Sequence, residues 1–310
     1  MKVYNNIKEF STVRNAVVTT GTFDGVHLGH HKIIDRLKNI AKAIDGETVI
    51  LTFDPHPRLV LFPEDNDLKL LNTRTEKIEL LAKAGIDNLI IHPFTKEFSR
   101  TSSLEFIRDI LVAKLHTKRL VIGYNHHFGR NREGSFEHLL EFGPVYGFEV
   151  EEIPAQEVDT IEISSTKIRN AILNGDILTA NTYLRGDFSF NGTVIEGKKL
   201  GRKLGYPTAN LKLEDKYKII PAFGVYAVKA IHDGTEYGAM MNIGNKPTTD
   251  KSGVHIEVNI FNFNQEIYGD TLTVRVIERL RDEKKFNGLE ELKAAINQDK
   301  IQSLQVLGIA

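Results

Sequence analysis

Cysteine is absent from the 310-residue sequence, and neither sign of charge is in excess. Without cysteine the chain forms no disulfide, has no thiolate nucleophile and offers no cysteine ligand to zinc. This absence also favours the reducing cytoplasm as its location. Lysine and arginine number 40 against 41 aspartates and glutamates, which gives a formal net charge of −1. The chain therefore lacks the overall basic character that is typical of nucleic-acid-binding proteins.

Long apolar runs are absent as well. Residues 1–7 lack the apolar centre of a signal peptide, and no run is long enough to span a bilayer. With 41% hydrophobic and 26% charged residues, the composition is that of a soluble globular protein, and the length suits two domains. We expect neither nucleic acid nor membrane as a partner, and a weak homo-oligomer stays open.

The first half of the chain alternates short apolar runs with helical patterns. Strands are predicted at 16–20, 47–53, 88–92, 119–124 and 148–153. A helix at 74–84 begins with the capping-box pair Thr73 and Glu76, and another begins at Ser102. Alternating strands and helices predict an α/β domain with a parallel sheet covered on both faces. Ligands of such sheets bind at the carboxyl ends of the strands.

The second half has a different pattern. Strands are predicted at 188–195, 224–231, 236–241, 254–261 and 271–280, followed by a helix at 287–297. Consecutive strands without intervening helices indicate an antiparallel barrel or sandwich. The change of pattern near residues 183–187 predicts two domains, 1–185 and 186–310.

The turn Gly21-Thr22-Phe23-Asp24-Gly25-Val26-His27-Leu28-Gly29-His30 joins a predicted strand to a predicted helix. The N–H groups of a helix N-terminus bind phosphate, and glycines allow the backbone to approach it closely. Histidine side chains can donate hydrogen bonds to oxygens that gain charge. We therefore predict a nucleotide site at Gly21, Phe23, Gly25 and Gly29, with His27 and His30 as catalytic groups. Taken alone, His-x-Gly-His is a weak signal that is also compatible with surface histidines or an adventitious metal site.

A second element, Ile163-Ser164-Ser165-Thr166-Lys167-Ile168-Arg169, also lies at a predicted helix start. Ser164, Ser165 and Thr166 offer hydroxyls to a nucleotide, and Arg169 offers a cation to its phosphates. Together the two elements resemble the signatures of the nucleotidylyltransferase superfamily, which implies a Rossmann-like domain. The Gly-Thr-Phe-Asp-Gly prefix is similar to that of its flavin adenylyltransferase branch.

A glycine-rich run from Gly192 to Asn210 carries the second candidate site. Its glycines and cations predict a flap over the phosphates of a nucleotide, and the oxygens of Thr208 and Asn210 suit Mg²⁺. The residues predicted to bind the nucleotide are Gly197, Gly201, Arg202, Gly205 and Pro207. From spacing alone, a turn-rich hairpin with exposed cations is an equal alternative.

The motif Pro207-Thr208-Ala209-Asn210 resembles the riboflavin kinase domain. Matching segments occur at 221–226, 242–248, 268–269 and 281–286. Taken together, the chain resembles the bacterial bifunctional riboflavin kinase/FAD synthetase family. The resemblance implies a six-stranded Greek-key barrel with a terminal helix in the second half.

The resemblance also implies roles for single residues. Glu257 would be the kinase base, Tyr268 and Arg281 would contact the flavin, and Asn125 would anchor the reactants of adenylyl transfer. ATP and Mg²⁺ would serve as substrate and metal, with riboflavin, FMN and FAD as substrates or products and no tightly bound redox cofactor. The FMN phosphate is already anionic, so adenylyl transfer needs no base. Asp24 is therefore expected to stabilise its turn or orient a neighbour rather than to abstract a proton.

Two segments depart from the family pattern. The family usually has Glu-Val-His followed by Asp-Phe, whereas this chain has Asn259 and Asn262 after Glu257. His126 stands where the family commonly has an aromatic residue that could pack near the flavin, so this departure bears on flavin binding rather than on nucleotide binding.

Three other functions share part of these motifs. A nucleotidylyltransferase for another phosphorylated metabolite leaves the Pro-Thr-Ala-Asn segment unexplained. A tRNA synthetase shares the first motif, but the chain lacks a clear lysine-rich catalytic loop and has the wrong charge for tRNA. A non-catalytic flavin-sensing regulator would be distinguished by turnover.

Overall fold

The computed structural model describes residues 1–64, 67–124, 126–154, 163–197, 200–245 and 253–309, except for the side chains of residues 200 and 203. These residues form two compact units. The first unit comprises Met1–Leu68 and Asn72–Ser165, and the second comprises Lys69–Leu71 and Thr166–Ala310. Within the described residues, no helix combines the length and the apolar character needed to cross a bilayer.

The first unit is built on a six-stranded sheet in the order β1-β4-β3-β2-β5-β6. Its strands are β1 (Lys2–Tyr4), β2 (Val17–Thr20), β3 (Thr48–Asp54), β4 (Asn88–Pro93), β5 (Arg119–Gly123) and β6 (Glu149–Ile153). Every neighbouring pair is parallel, which confirms the predicted parallel sheet. The three-residue edge strand β1 was not predicted, because it contains no apolar run.

Helices cover both faces of this sheet. The helices of this unit are α1 (Leu28–Ala43), α2 (Pro57–Leu61), α3 (Arg74–Lys83), α4 (Ser103–Glu105), which continues into a π-helix at Phe106–Val112, α5 (Phe136–Tyr146) and the start of α6 (Ser165–Leu173). Successive strand residues belong to different cores: Val18 and Leu51 lie in one, and Val17 and Ile50 in the other. This alternation is the period of two of a strand that is buried on both faces. The capping boxes predicted at Thr73 and Ser102 are both present.

The strand order reverses between β2 and β5. From β2 the chain proceeds through β3 and β4 on one side, and later through β5 and β6 on the other. In open parallel sheets, ligands bind where the order reverses, at the carboxyl ends of the strands. The turn that begins at Gly21 leaves the sheet at this point.

The second unit is a closed antiparallel barrel in the order β10-β11-β8-β7-β12-β9. Its elements are the rest of α6, α7 (Ile177–Leu184), β7 (Phe188–Ile195), α8 (Leu200–Lys203), β8 (Ala209–Lys212), β9 (Gly224–His232), β10 (Thr235–Asn245), β11 (Val254–Ile260), β12 (Thr271–Arg281) and α9 (Leu289–Leu307). The predicted six-stranded Greek-key barrel and terminal helix are confirmed. The predicted helix at 287–297 is too short, because α9 continues to Leu307.

Candidate active sites

The turn after β2 leads directly into α1. His27 is the N-cap of α1 and His30 is its third residue. The backbone of the turn is strained, because Phe23 and Val26 have φ values of 48° and 41°. The His27 side chain makes no capping hydrogen bond to the helix. The N-terminal N–H groups of α1 thus retain the capacity to bind an anion.

Three aromatic rings pack together at this helix start. The rings of His27 and His30 are stacked with centroids 3.8 Å apart, and the Phe23 ring lies 4.8 Å from that of His30. Phe23 is only 1% exposed, so its ring supports His30 and any contact with a nucleotide is left to its backbone. Burial, with the charges of His27 and Lys77, holds the pKa of His30 well below its usual value. His30 is therefore a neutral imidazole at neutral pH, with one N–H to donate.

Asp24 stabilises the turn, as expected. Its Oδ1 accepts a hydrogen bond of 3.2 Å from the backbone N–H of Asn72, at the start of α3. Its backbone carbonyl accepts one of 2.9 Å from the Ser165 hydroxyl. Ser165 is the first residue of α6, so this bond brings the two sequence motifs, 141 residues apart, to the same place.

The other residues of the second motif lie at the start of α6. Ser164 precedes α6, and Thr166 and Arg169 lie on its first two turns, within the second unit. Arg169 donates from Nε to the carbonyl of Lys69 at 2.7 Å. Asn125 lies outside the described residues.

His126, which departs from the family pattern, lies at the carboxyl end of β2. Its Nε2 is 3.0 Å from the hydroxyl of Thr20, the last residue of that strand. Burial, together with the charges of His127 and Arg132, lowers the pKa of His126 to about 4. The ring is therefore neutral at neutral pH and serves as a polar neighbour of the strand end.

Lys77 is a residue of this site that sequence reasoning missed. Its Nζ donates to the carbonyl of Thr22 at 2.7 Å. Burial lowers the pKa of Lys77, while Asp24 and Asp54 act in the opposite direction. Nothing in the local pattern of α3 distinguishes Lys77 from Lys83, the exposed lysine at the end of the same helix.

In the barrel, the predicted kinase residues lie on neighbouring strands. Asn210 of β8 pairs with Glu257 of β11, which also pairs with Asn242 of β10. Paired residues of adjacent strands point to the same side of a sheet, so these side chains form one row. The segment that contains Thr208 and Asn210 was not among the predicted strands, but Ala209–Lys212 forms β8.

Asn210 is placed to bind a ligand through oxygen. It is 7% exposed, and its Oδ1 is buried with no hydrogen-bond partner among the described residues. Gly197 lies against it: a Cβ at position 197 would be 2.1 Å from Asn210 Nδ2. Glycine is thus required at 197 to leave room for the amide, whatever its contact with a nucleotide.

Glu257 is hydrogen-bonded to the ring of His255, two residues earlier on β11. Each side chain is 27% exposed, so the carboxylate stays accessible from solvent. Sequence reasoning did not single out His255. Strand periodicity was the available signal, because residues i and i+2 share one face.

A cavity of about 410 Å³ lies at one end of the barrel. Four predicted site residues line it: Arg202, Pro207, Thr208 and Tyr268. Its other walls include Val258, Ile260 and Phe263. Asn210 and Glu257 are not among the lining residues.

Asn259, which also departs from the family pattern, contacts Pro207, a residue that lines this cavity. Its Nδ2 donates to the carbonyl of Pro207 at 2.6 Å, and the residue is 7% exposed. This contact holds the start of the Pro-Thr-Ala-Asn segment against β11. Asn262 has a φ of 53° in the turn after β11, a conformation that asparagine tolerates better than most residues.

Arg281 lies apart from the cavity lining. Its guanidinium makes a bidentate pair with the buried carboxylate of Asp299 on α9, with both distances at 2.7 Å.

Two glycines of the glycine-rich run have positions that suit glycine. Gly205 has a φ of 87°, and a Cβ at Gly201 would lie 2.3 Å from the carbonyl oxygen of Tyr206. Arg202 pairs with Glu266 at 3.6 Å.

Within the described ranges, no group of three or more histidine, aspartate or glutamate side chains is placed to hold a metal ion. The adventitious metal site considered for the histidines of α1 has no support among these residues.

Comparison with known families matches both halves of the chain. A family model described as FAD synthetase matches residues 9–167, and one described as riboflavin kinase matches residues 184–307. The proteins named bifunctional riboflavin kinase/FMN adenylyltransferase from Listeria monocytogenes and Escherichia coli K12 are 39% and 32% identical to it. These alignments cover 92% and 100% of this chain and 90% and 99% of the relatives.

A solved structure described as a macrolide-efflux protein from Streptococcus pneumoniae is also similar. It is 32% identical with a TM-score of 0.88, and the match covers 97% of this chain and 98% of that chain.

Proposed function

Because the chain belongs to the family of bifunctional riboflavin kinases/FMN adenylyltransferases, we propose that its two halves divide these reactions between them. Residues 1–185 would adenylylate FMN with ATP to give FAD and pyrophosphate, and residues 186–310 would phosphorylate riboflavin. The riboflavin kinase match at residues 184–307 supports this assignment over another nucleotidylyltransferase. A cytoplasmic location stays a prediction from composition.

The kinase reaction needs a base, because the attacking hydroxyl of riboflavin is neutral. In the proposed step, the hydroxyl proton passes to Glu257 while the oxygen bonds to the γ-phosphorus of ATP, and the bond from that phosphorus to ADP breaks. His255 holds the Glu257 carboxylate in one orientation. The pairing of Glu257 with Asn210 across adjacent strands is the observation that carries this proposal.

Mg²⁺ is compatible with the oxygen donors of this row. Thr208 and Asn210 offer neutral oxygens, and Asn210 Oδ1 is buried with no hydrogen-bond partner among the described residues. Bound there, the ion would neutralise charge on the β- and γ-phosphate oxygens. We place the nucleotide in the adjoining cavity, which Thr208 also lines. Tyr268, the predicted flavin contact, lines the same cavity.

Adenylyl transfer needs no base, because the FMN phosphate is anionic at neutral pH. An FMN phosphate oxygen would bond to the α-phosphorus of ATP while pyrophosphate leaves. Positioning and stabilisation of charge then account for catalysis. The helix start with His27 and His30 supports this role, as does Ser165 beside the turn of residues 21–30, here called the glycine-rich turn. For Thr166 and Arg169 a contact with the phosphates stays a prediction from the family resemblance.

The test supplies purified protein with riboflavin, ATP and Mg²⁺ and separates the flavins by chromatography. We expect FMN and then FAD, and FAD with pyrophosphate when FMN replaces riboflavin. Binding of flavin without turnover would instead indicate a flavin-sensing regulator.

To test the division of activities, residues 186–310 are compared with the longer fragment 166–310. Both should form FMN and no FAD, and the longer one should be more stable because Asn181 of α7 bonds to Val276 and Phe188.

A further inference from the structure

Lys77 is held beside the glycine-rich turn by the start of its own helix. Asn72 immediately precedes the N-cap of α3, and its N–H is bonded to the Asp24 carboxylate within that turn. Lys77 follows one helical turn later. Its ammonium group reaches the Thr22 carbonyl at 2.7 Å, to which the buried Thr52 hydroxyl also donates at 3.1 Å. Two independent bonds therefore fix α3 against the turn.

The Lys77 charge also acts on the predicted catalytic histidine. It is one of the groups that hold the pKa of His30 low. The ammonium group thus lies within electrostatic range of the α1 N-terminus, where the phosphates are expected. The acidic groups that act on Lys77 are Asp24 and Asp54. Without a nearby cation, these two carboxylates would repel a polyphosphate.

An ammonium group has three N–H donors, and the bond to Thr22 occupies one. The other two have no hydrogen-bond partner among the residues that the structure describes. Lys77 is partly buried. A lysine withdrawn from water only to close a turn gains little from its charge, because partial desolvation disfavours that charge. A polyphosphate would supply both the missing acceptors and the compensating negative charge.

We propose that Lys77 is a further polyphosphate-binding residue of the adenylyl-transfer site and contacts the phosphates that leave as pyrophosphate. The inference rests on the adenylyltransferase function proposed above. In that step the bond from the α-phosphorus to its bridging oxygen breaks, and the electron pair leaves with pyrophosphate. A cation at this position stabilises the charge that collects there.

Three substitutions in the full-length chain test this role. Lys77→Met removes the charge and the donor, and Lys77→Gln removes the charge but keeps an N–H for Thr22. Lys77→Arg keeps the charge. Lys83→Met, an exposed change in the last turn of α3, is the matched control. Each variant is assayed for the KM for ATP in FMN adenylylation, inhibition by inorganic pyrophosphate, riboflavin phosphorylation and thermal unfolding.

We expect both the Met and Gln variants to raise the KM for ATP and the inhibition constant of pyrophosphate by about tenfold or more. Lys77→Arg should restore most of the affinity, and Lys83→Met and the kinase reaction should be unchanged. If the Met variant unfolds below the assay temperature, the Gln variant decides. Unchanged pyrophosphate inhibition in a folded Gln variant would overturn the inference. Failure of the wild type to make FAD from FMN would instead refute the proposed function.

Discussion

Glu257→Gln is expected to block the formation of FMN while sparing the adenylylation of FMN. Glutamine keeps the size of the side chain and a polar contact for His255, but its amide accepts no proton at neutral pH. Loss of a general base costs roughly 10²–10⁴ in rate, which corresponds to about 3–5 kcal/mol in the barrier. The expected change therefore falls on kcat for riboflavin phosphorylation.

The structure predicts little effect of this change on folding. Glu257 is 27% exposed and lies on a strand that is paired on both sides, so the backbone stays in place. A partly exposed ion pair contributes about 1 kcal/mol or less to stability. The melting temperature should therefore change by only a few degrees.

The assay compares two substrates for the same variant. Supplied with riboflavin, Glu257→Gln should make little FAD; supplied with FMN, it should make FAD at nearly the wild-type rate. Glu236→Gln is the control, because this glutamate of β10 also takes part in ion pairs, with Lys229 and Arg275. Retained riboflavin phosphorylation would remove Glu257 from the mechanism. Equal loss on both substrates would refute the assignment of the reactions to separate sites.

Three further predictions concern the other residues. His30→Ala should lower the rate of FAD formation from FMN by roughly 10²–10³ and leave FMN formation unchanged; an unaffected rate would contradict the role of the α1 N-terminus. The pKa of His126 is lowered from 6.5 to about 4, so its contribution to stability is complete above pH 6.5 and is lost as the pH falls towards 4. That loss is at most about 3 kcal/mol. The free energy of unfolding, measured with urea at pH 7.5 and pH 5, should therefore differ less between the two pH values for His126→Phe than for the wild type. Asn259→Leu removes the donor to the Pro207 carbonyl and should raise the kinase KM for ATP several-fold, with Asn262→Asp as a nearby control; an unchanged KM would show that this bond does not position the segment.

Most strands and helix starts of the first unit follow from local pattern. Runs such as 47–53 are apolar because both faces of a parallel strand are buried, and the signal needs no knowledge of the neighbours. The capping boxes at Thr73 and Ser102 are equally local, since each joins residues three apart. The strands β1 and β8 escaped prediction, because a short polar segment becomes a strand only through its partners.

The candidate sites divide in the same way. The residues of the glycine-rich turn and of the Pro-Thr-Ala-Asn segment could be singled out from the sequence, because their chemistry depends on spacing within one segment. The contact between Ser165 and Asp24, and that between Lys77 and Thr22, join segments that are distant in sequence. No local pattern encodes such pairs.

The sequence by itself determined the two fold classes, the family and the segments that carry chemistry, because periodicity and short motifs are local properties of the chain. Only the tertiary structure decided that Asn210 and Glu257 lie side by side on adjacent strands. It also decided that Asn259 bonds to the Pro207 carbonyl and that Lys77 bonds to the Thr22 carbonyl. Register between strands and the packing of α3 fix these positions. Both depend on how the whole core is filled, which no single segment specifies.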